Sequence, residues 1–89
     1  MAKYRKIKDI ADAWQFTKEN YKKGVPDWLR VWNVSLWSQY GGDVIEGEIE
    51  TIFGIMKVSE NDYIVREEYM GLLVCNPFDF NMIYEKVED

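Results

Sequence analysis

Residues 61–87 carry the densest structural signals in this sequence of 89 residues. The run 72–75, Leu-Leu-Val-Cys, is apolar at every position, which is typical of a strand covered on both faces. A second predicted strand, 63–66 (Tyr-Ile-Val-Arg), precedes it, and the segment between the two strands contains a glycine and predicts a hairpin loop. Asn76 and Pro77 then fit the N-cap and the first position of a short helix. We therefore expect a buried central strand here, followed by one helical turn.

A period of two predicts another strand near the start of the chain. Residues 10–17 place Ile10, Asp12, Trp14 and Phe16 on one face, while smaller or polar residues occupy the other. Asp12 is the one polar residue on the aromatic face. It is either a residue at the margin of the sheet or a carboxylate that lines a pocket.

One helix is predicted between the strands. Residues 25–32 place Pro26 at the first helical position and Asp27 near the positive end of the helix dipole. Trp28 and Trp32 are four positions apart and would share one face of this helix. The pair therefore forms either an aromatic stripe that packs on the sheet or one wall of a ligand pocket.

The middle of the chain alternates again. Residues 36–40 and 43–51 flank Gly41-Gly42, which is a hairpin signal, and a further strand is predicted over 55–58. Together these patterns predict an α+β fold in a single domain, 1–89. We expect a small, antiparallel, curved sheet of about five strands, with one packed helix and a short C-terminal helical turn.

Three carboxylates repeat at every second position of the strand predicted over 43–51. The spacing places Glu46, Glu48 and Glu50 on one face of the sheet, opposite the apolar residues of the same strand. Like charges at this spacing repel one another mildly and are excluded from a core. The stripe is either a solvated outer face or a docking surface for cations.

The residue types present argue against catalysis and against metal binding. The chain has no histidine and one cysteine, Cys75, so it lacks the usual general base and cannot assemble a Cys/His metal site by itself. Cys75 ends an apolar strand with no cationic neighbour, which predicts a buried, inert thiol. The glycines lie at turns and form no phosphate-binding loop. We expect no enzymatic activity, no cofactor and no metal.

Charge is distributed unevenly along the chain. Residues 1–33 carry eight Lys and Arg against four acids, whereas residues 34–89 carry three against twelve, and the formal net charge is −5. Nucleic acid is an unlikely partner because phosphate binding needs clustered cations. The N-terminal residues lack the apolar run of a signal peptide, and no segment has the ~20 apolar residues of a membrane span, so we expect no membrane association.

Three local patterns resemble a family of small proteins encoded by bacterial phages and prophages. They are Tyr-Arg-Lys at 4–6 with Ala-Trp-Gln-Phe-Thr at 13–17, then Asn-Asp-Tyr-Ile-Val-Arg at 61–66, and finally Cys-Asn-Pro-Phe-Asp-Phe at 75–80 with Tyr-Glu-Lys-Val at 84–87. The family's sequences carry Gly where this chain has Asn61. The resemblance implies an origin and a bacterial cytoplasm rather than a reaction, and it assigns no catalytic residue.

These observations lead to one functional expectation and one alternative. We expect an accessory protein of phage type that acts as a non-catalytic interaction module on a host or phage protein, through Glu46, Glu48 and Glu50. The alternative is a binder of a small nucleotide-like ligand, with a pocket lined by Trp14, Trp28, Trp32 and Arg66. Small antiparallel sheets with open edges also pair, which leaves a homodimer open.

Overall fold

The structure, a computed structural model, describes residues 3–6, 10–68 and 70–86. The α+β fold predicted from the sequence is confirmed within these residues. The elements in chain order are β1 (Lys3–Lys6), β2 (Ile10–Gln15), α1 (Lys18–Lys23), α2 (Asp27–Arg30), β3 (Val34–Gln39), a 3-10 turn (Tyr40–Gly42), β4 (Val44–Thr51), β5 (Gly54–Ser59), β6 (Tyr63–Glu67), β7 (Gly71–Cys75), α3 (Pro77–Ile83) and β8 (Tyr84–Lys86).

The strands form two antiparallel sheets. The first sheet has the order β7-β6-β2-β1-β8, and the second sheet has the order β3-β4-β5. The prediction of a single curved sheet of about five strands with one packed helix is therefore wrong. Alternation along the sequence identifies strands and their faces but carries no information about which strands pair, so it could not divide them between two sheets.

The predicted tryptophan helix is shorter than its sequence pattern suggested. Helix α2 ends at Arg30, and Pro26 is its N-cap rather than its first helical residue. Trp28 is buried within the helix, whereas Trp32 lies beyond the helix end and is 37% exposed. The two rings consequently do not form one stripe on a helix face.

The main apolar layer lies between the two sheets. Ile64 faces this layer from β6 of the first sheet, and Phe16 faces it from the junction between β2 and α1; both are 0% exposed. Ile45 and Ile49 face it from the second sheet. Leu29 of α2 belongs to the same cluster. Each large aliphatic or aromatic side chain buried in this way stabilises the fold by about 1.5–3 kcal/mol.

A second apolar layer covers the opposite face of the first sheet. It joins Ala13 of β2 and Val65 of β6 to Phe80 of α3 and Tyr84 of β8. The Phe80 ring stacks on that of Tyr63, with centroids 3.7 Å apart and planes 3° from parallel, and it also contacts the Tyr84 ring at 5.0 Å. The first sheet is therefore covered on both faces.

This double coverage explains the apolar run at 72–75. The prediction that this run is a central strand is wrong, because β7 lies at the edge of the first sheet. Leu72 and Val74 face the main layer and Cys75 faces the second layer, so both faces need apolar residues even at an edge. Only Leu72 is fully buried, with 1% exposure.

Helix α3 begins as the sequence predicts. Asn76 is its N-cap, and the Asn76 Oδ1 accepts a hydrogen bond of 2.8 Å from the backbone N–H of Asp79. Pro77 occupies the first turn, where its missing N–H costs nothing.

The turn between β5 and β6 ties the chain back to the end of β2. The backbone N–H of Phe16 donates to the carbonyl of Asp62 at 2.8 Å, and that of Asn61 donates to the carbonyl of Phe16 at 2.6 Å. Asn61 has φ +78, a left-handed conformation that asparagine tolerates better than most residues. The Asp62 carboxylate accepts a hydrogen bond of 2.9 Å from the Ser59 backbone N–H, which closes this turn.

Gly47, in the middle of β4, allows a close approach between β3 and β4. A Cβ atom at this position would lie 2.4 Å from the Leu36 Cδ2 atom and 2.8 Å from the Ser35 carbonyl oxygen. The Leu36 side chain therefore lies across the strand axis of β4, over the space that a larger residue would fill.

We expect Gly47→Ala to destabilise the protein by about 1–3 kcal/mol, because the added methyl group overpacks the contact with Leu36 and Ser35. Urea unfolding at equilibrium measures the change. The double variant Gly47→Ala with Leu36→Ala removes one of the two close contacts, so its loss should be smaller than the sum of the two single losses. Strict additivity would contradict this account of Gly47.

Candidate interaction surface

The outer face of the second sheet carries the acidic stripe. Strand β4 is the central strand of this sheet, and its alternation buries Ile45 and Ile49 against the main apolar layer. Glu46, Glu48 and Glu50 consequently point away from that layer, and Glu46 and Glu50 are exposed. We call the surface formed by these three glutamates the acidic face.

The neighbours of the acidic face are mostly neutral. Gln39 donates to the Glu46 carboxylate at 3.4 Å, and Asn33 donates to that of Glu50 at 2.6 Å. Lys57 lies directly opposite Glu48 on β5. None of the ion pairs between described residues involves the three glutamates, and Lys57 is the cation that the register places beside them.

Exposed apolar side chains adjoin one end of the acidic face. The hairpin that joins β4 to β5 exposes Ile52 at 64% and Phe53 at 68%, and Ile55 on β5 is 71% exposed. Glu50 and Trp32 line two surface clefts, one of about 300 Å³ that Ile52 also lines and one of about 290 Å³ that Ile55 also lines. An exposed apolar patch bordered by charged residues is characteristic of binding surfaces.

The hairpin tip is held in place by its own hydrogen bonds. The Thr51 hydroxyl donates to the carbonyl of Gly54 at 2.8 Å and accepts from the backbone N–H of Phe53 at 3.0 Å. Gly54 has φ +101, which suits only glycine. The exposed Ile52 and Phe53 side chains are thus presented on an ordered turn, and binding them costs little backbone entropy.

The sequence predicted the acidic face but not the apolar border beside it, a name we give to the exposed side chains of Ile52, Phe53 and Ile55. The signal was present, since Ile52 and Phe53 occupy turn positions where Gly, Asn, Asp and Ser predominate. Glu67 is not part of the acidic face, because it lies on β6 in the first sheet and accepts a hydrogen bond from Tyr84.

The four residues proposed for a nucleotide-like pocket are divided in the structure. The Arg66 guanidinium lies 5.2 Å from the centre of the Trp28 ring, and Trp14 packs against the same apolar layer as Trp28. Trp32 lines the surface clefts beside Glu50. Binding of a nucleotide-like ligand stays a prediction. Two of the four residues proposed to line its pocket, Arg66 and Trp28, contact each other.

Asp12 is the partner of Arg66. The two residues face each other across the β2–β6 ladder, and their side chains form an ion pair. Asp12 is only 7% exposed, so Arg66 rather than solvent compensates its charge. The polar residue on the aromatic face of β2 is thus explained by this pair, which the cation–π contact with Trp28 extends.

We expect Arg66→Met to destabilise the protein by about 1–3 kcal/mol, because it leaves the Asp12 carboxylate buried without its cation. The double variant Asp12→Leu with Arg66→Met removes both charges and should recover part of that loss. Thermal and urea unfolding of both variants measure the difference. A double variant less stable than Arg66→Met alone would contradict the account.

Tyr84 and Glu67 form a second polar pair, on the side of the first sheet that α3 covers. The buried Tyr84 hydroxyl donates a hydrogen bond to the Glu67 carboxylate. Burial raises the pKa of Tyr84 well above its usual value, and the Glu67 carboxylate raises it further through the hydrogen bond and through its charge. Cys75 is nearby and is half-buried, so the prediction of a buried thiol is wrong.

The raised pKa of Tyr84 predicts a specific alkaline destabilisation. Its contribution to stability is present in full below the unfolded pKa of about 10 and is lost as the pH rises further. We expect Tyr84→Phe to be about 1 kcal/mol less stable at neutral pH, and this deficit should shrink above about pH 10. Urea titrations across this range test it, and a deficit that stays constant with pH would contradict it.

No group of three or more potential ligands among His, Cys, Asp and Glu is placed to hold a metal ion within the described ranges. No helix in that part of the chain is both long and apolar enough to cross a membrane.

Comparisons of this chain with protein-family models, with curated proteins and with solved structures found no match.

Proposed function

We propose that this protein is a non-catalytic interaction module of phage or prophage type, which binds a basic surface of a host or phage protein in the bacterial cytoplasm. The observation that carries the proposal is the placement of Glu46, Glu48 and Glu50 on one sheet face without an ion-paired cation among the described residues. The phage setting rests on the sequence resemblance alone.

The acidic face contributes mainly to the rate and specificity of association. Surfaces of opposite charge steer diffusional encounter, and like-charged partners are rejected. Because Glu46 and Glu50 are exposed, their effect on a partner is screened over a Debye length of about 8 Å at physiological ionic strength. Association should accordingly be fast at low salt and slower at high salt.

The apolar border contributes the lasting contact. Ile52, Phe53 and Ile55 are each more than half exposed and lie next to Glu50 on the same hairpin. Burial of such apolar side chains on binding is favourable, and it acts mainly by slowing dissociation of the complex. The partner surface therefore combines Lys or Arg side chains with an apolar depression.

The double variant Glu46→Lys with Glu48→Lys tests the proposal. A partner captured from a bacterial lysate and then purified is measured by surface plasmon resonance at several salt concentrations. We expect the association rate constant to fall roughly ten-fold or more at low salt and to lose its salt dependence. Circular dichroism establishes that the variant is folded.

A matched control changes the same number of charges elsewhere. Glu19→Lys with Asp27→Lys alters exposed residues on α1 and α2, whose side chains are 77% and 97% exposed. This control should associate nearly as fast as the unmodified protein. If both double variants lower the association rate constant equally, net charge and not the acidic face controls association, which would overturn the proposal. Unchanged binding by Glu46→Lys with Glu48→Lys would overturn it as well.

A further inference from the structure

Strand β3 leaves one edge of the second sheet open. It pairs with β4 on one side, and no described strand pairs with its other side. The strand, Val-Ser-Leu-Trp-Ser-Gln, contains no charged residue and no proline, which are the usual protections of an open edge. The opposite edge strand, β5, carries Lys57.

The register identifies which backbone groups face this edge. The Glu50 N–H donates to the carbonyl of Asn33 at 3.1 Å, so this pair is hydrogen-bonded across the ladder. Hydrogen-bonded and non-hydrogen-bonded pairs alternate in antiparallel sheets. The backbone groups of Val34, Leu36 and Ser38 therefore point away from β4, and among the described residues none binds them.

A groove runs beside this open edge. Its volume is about 360 Å³, and it lies between β3 and the segment from α1 to α2. The side chains of Val34 and Leu36 point to the interior of the fold yet are only half-buried, whereas Ile45 and Ile49 on β4 are buried. The other apolar residues that line the groove are Tyr21, Val25, Leu29 and Trp32.

The other face of the edge is aromatic and acidic. Trp37 is half-buried on the outer face of β3, with Glu46 directly opposite it on β4 and Glu48 opposite the neighbouring Ser35. A strand added to β3 would lie about 10 Å from β4, within the range of these carboxylates. Cationic side chains on that strand would also reach the Trp37 ring.

We propose that the open edge of β3 binds an extended segment of a partner protein, in which cationic and apolar side chains alternate. The segment adds to the second sheet as a fourth strand and forms hydrogen bonds with Val34, Leu36 and Ser38. Its apolar side chains enter the groove, and its cations face Trp37 and the acidic face. This inference rests on the proposed function for the basic character of the partner.

Charge selects this occupant over a second copy of the chain. The formal net charge of −5 makes two copies repel each other, whereas a basic segment is attracted to the glutamates beside the edge. A dimer formed through β3 is therefore an outcome that would overturn the proposal, and analytical ultracentrifugation detects it.

Amide hydrogen exchange with a defined peptide tests the inference. The probe is a capped peptide of alternating lysine and valine, as long as the six residues of β3. We expect its binding to slow exchange at the backbone N–H groups of Val34, Leu36 and Ser38 by roughly ten-fold or more. The N–H groups of Ser35 and Trp37 already bond to β4 and should change less.

Two control peptides separate backbone pairing from charge. One is N-methylated at every second residue, on the edge that faces β3, and retains its side chains. It should bind at least roughly ten-fold more weakly, as isothermal titration calorimetry measures. The other contains glutamate in place of lysine and should not bind. Equal affinity for the methylated and unmodified peptides would overturn pairing at the edge.

Substitution of Ser38 provides the matching test in the protein. Ser38→Pro removes an N–H that faces the open edge, whereas Ser38→Thr keeps it and favours a strand. We expect only the proline variant to lose affinity for the unmodified peptide. If Ser38→Pro does not fold, the methylated peptide decides the question with the unmodified protein.

The outcomes distinguish this inference from the proposed function. Salt-sensitive binding that Glu46→Lys with Glu48→Lys abolishes, without protection at Val34, Leu36 and Ser38, would leave the acidic face as the binding site and overturn the role of the edge. Failure of the basic peptide to bind at all would overturn the inference, while the purified protein partner still tests the proposed function.

Discussion

The pairing of β2 with β6 is the contact on which both apolar layers depend. In this ladder Trp14 faces Ile64 and Ala13 faces Val65, so neighbouring pairs point to opposite sides of the first sheet. Trp14 and Ile64 belong to the main layer, while Ala13 and Val65 belong to the layer beneath α3. The two strands are far apart in sequence, and their pairing costs chain entropy that burial in two layers offsets.

The local structure could be predicted from the sequence because its signals are local. The alternation at 10–17 and the N-cap at Asn76 with Pro77 each depend on a few adjacent residues, and the structure confirms both. The division into two sheets depends on distant pairing, such as that of Asp12 with Arg66. Periodicity alone does not contain that information.

The same distinction applies to the surfaces. The common orientation of the acidic face follows from the two-residue period of β4, and only the position of β4 at the centre of an exposed sheet had to be learned from the structure. The groove beside β3 could not be predicted, because it requires α2 to end at Arg30 and the chain to pass beside Val34 and Leu36. It is a product of packing between separate segments.

The hydrogen bonds that join Phe16 to Asn61 and Asp62 have a consequence for cooperativity. These bonds bring together the two ends of the segment 17–60, which contains α1, α2 and the whole second sheet. The segment therefore leaves and returns to the first sheet at one place. The apolar layer beneath α3 contains no residue of the segment 17–60. The fold therefore has a natural seam for sub-global unfolding, along which the second sheet can detach while the aromatic stack of Tyr63, Phe80 and Tyr84 persists.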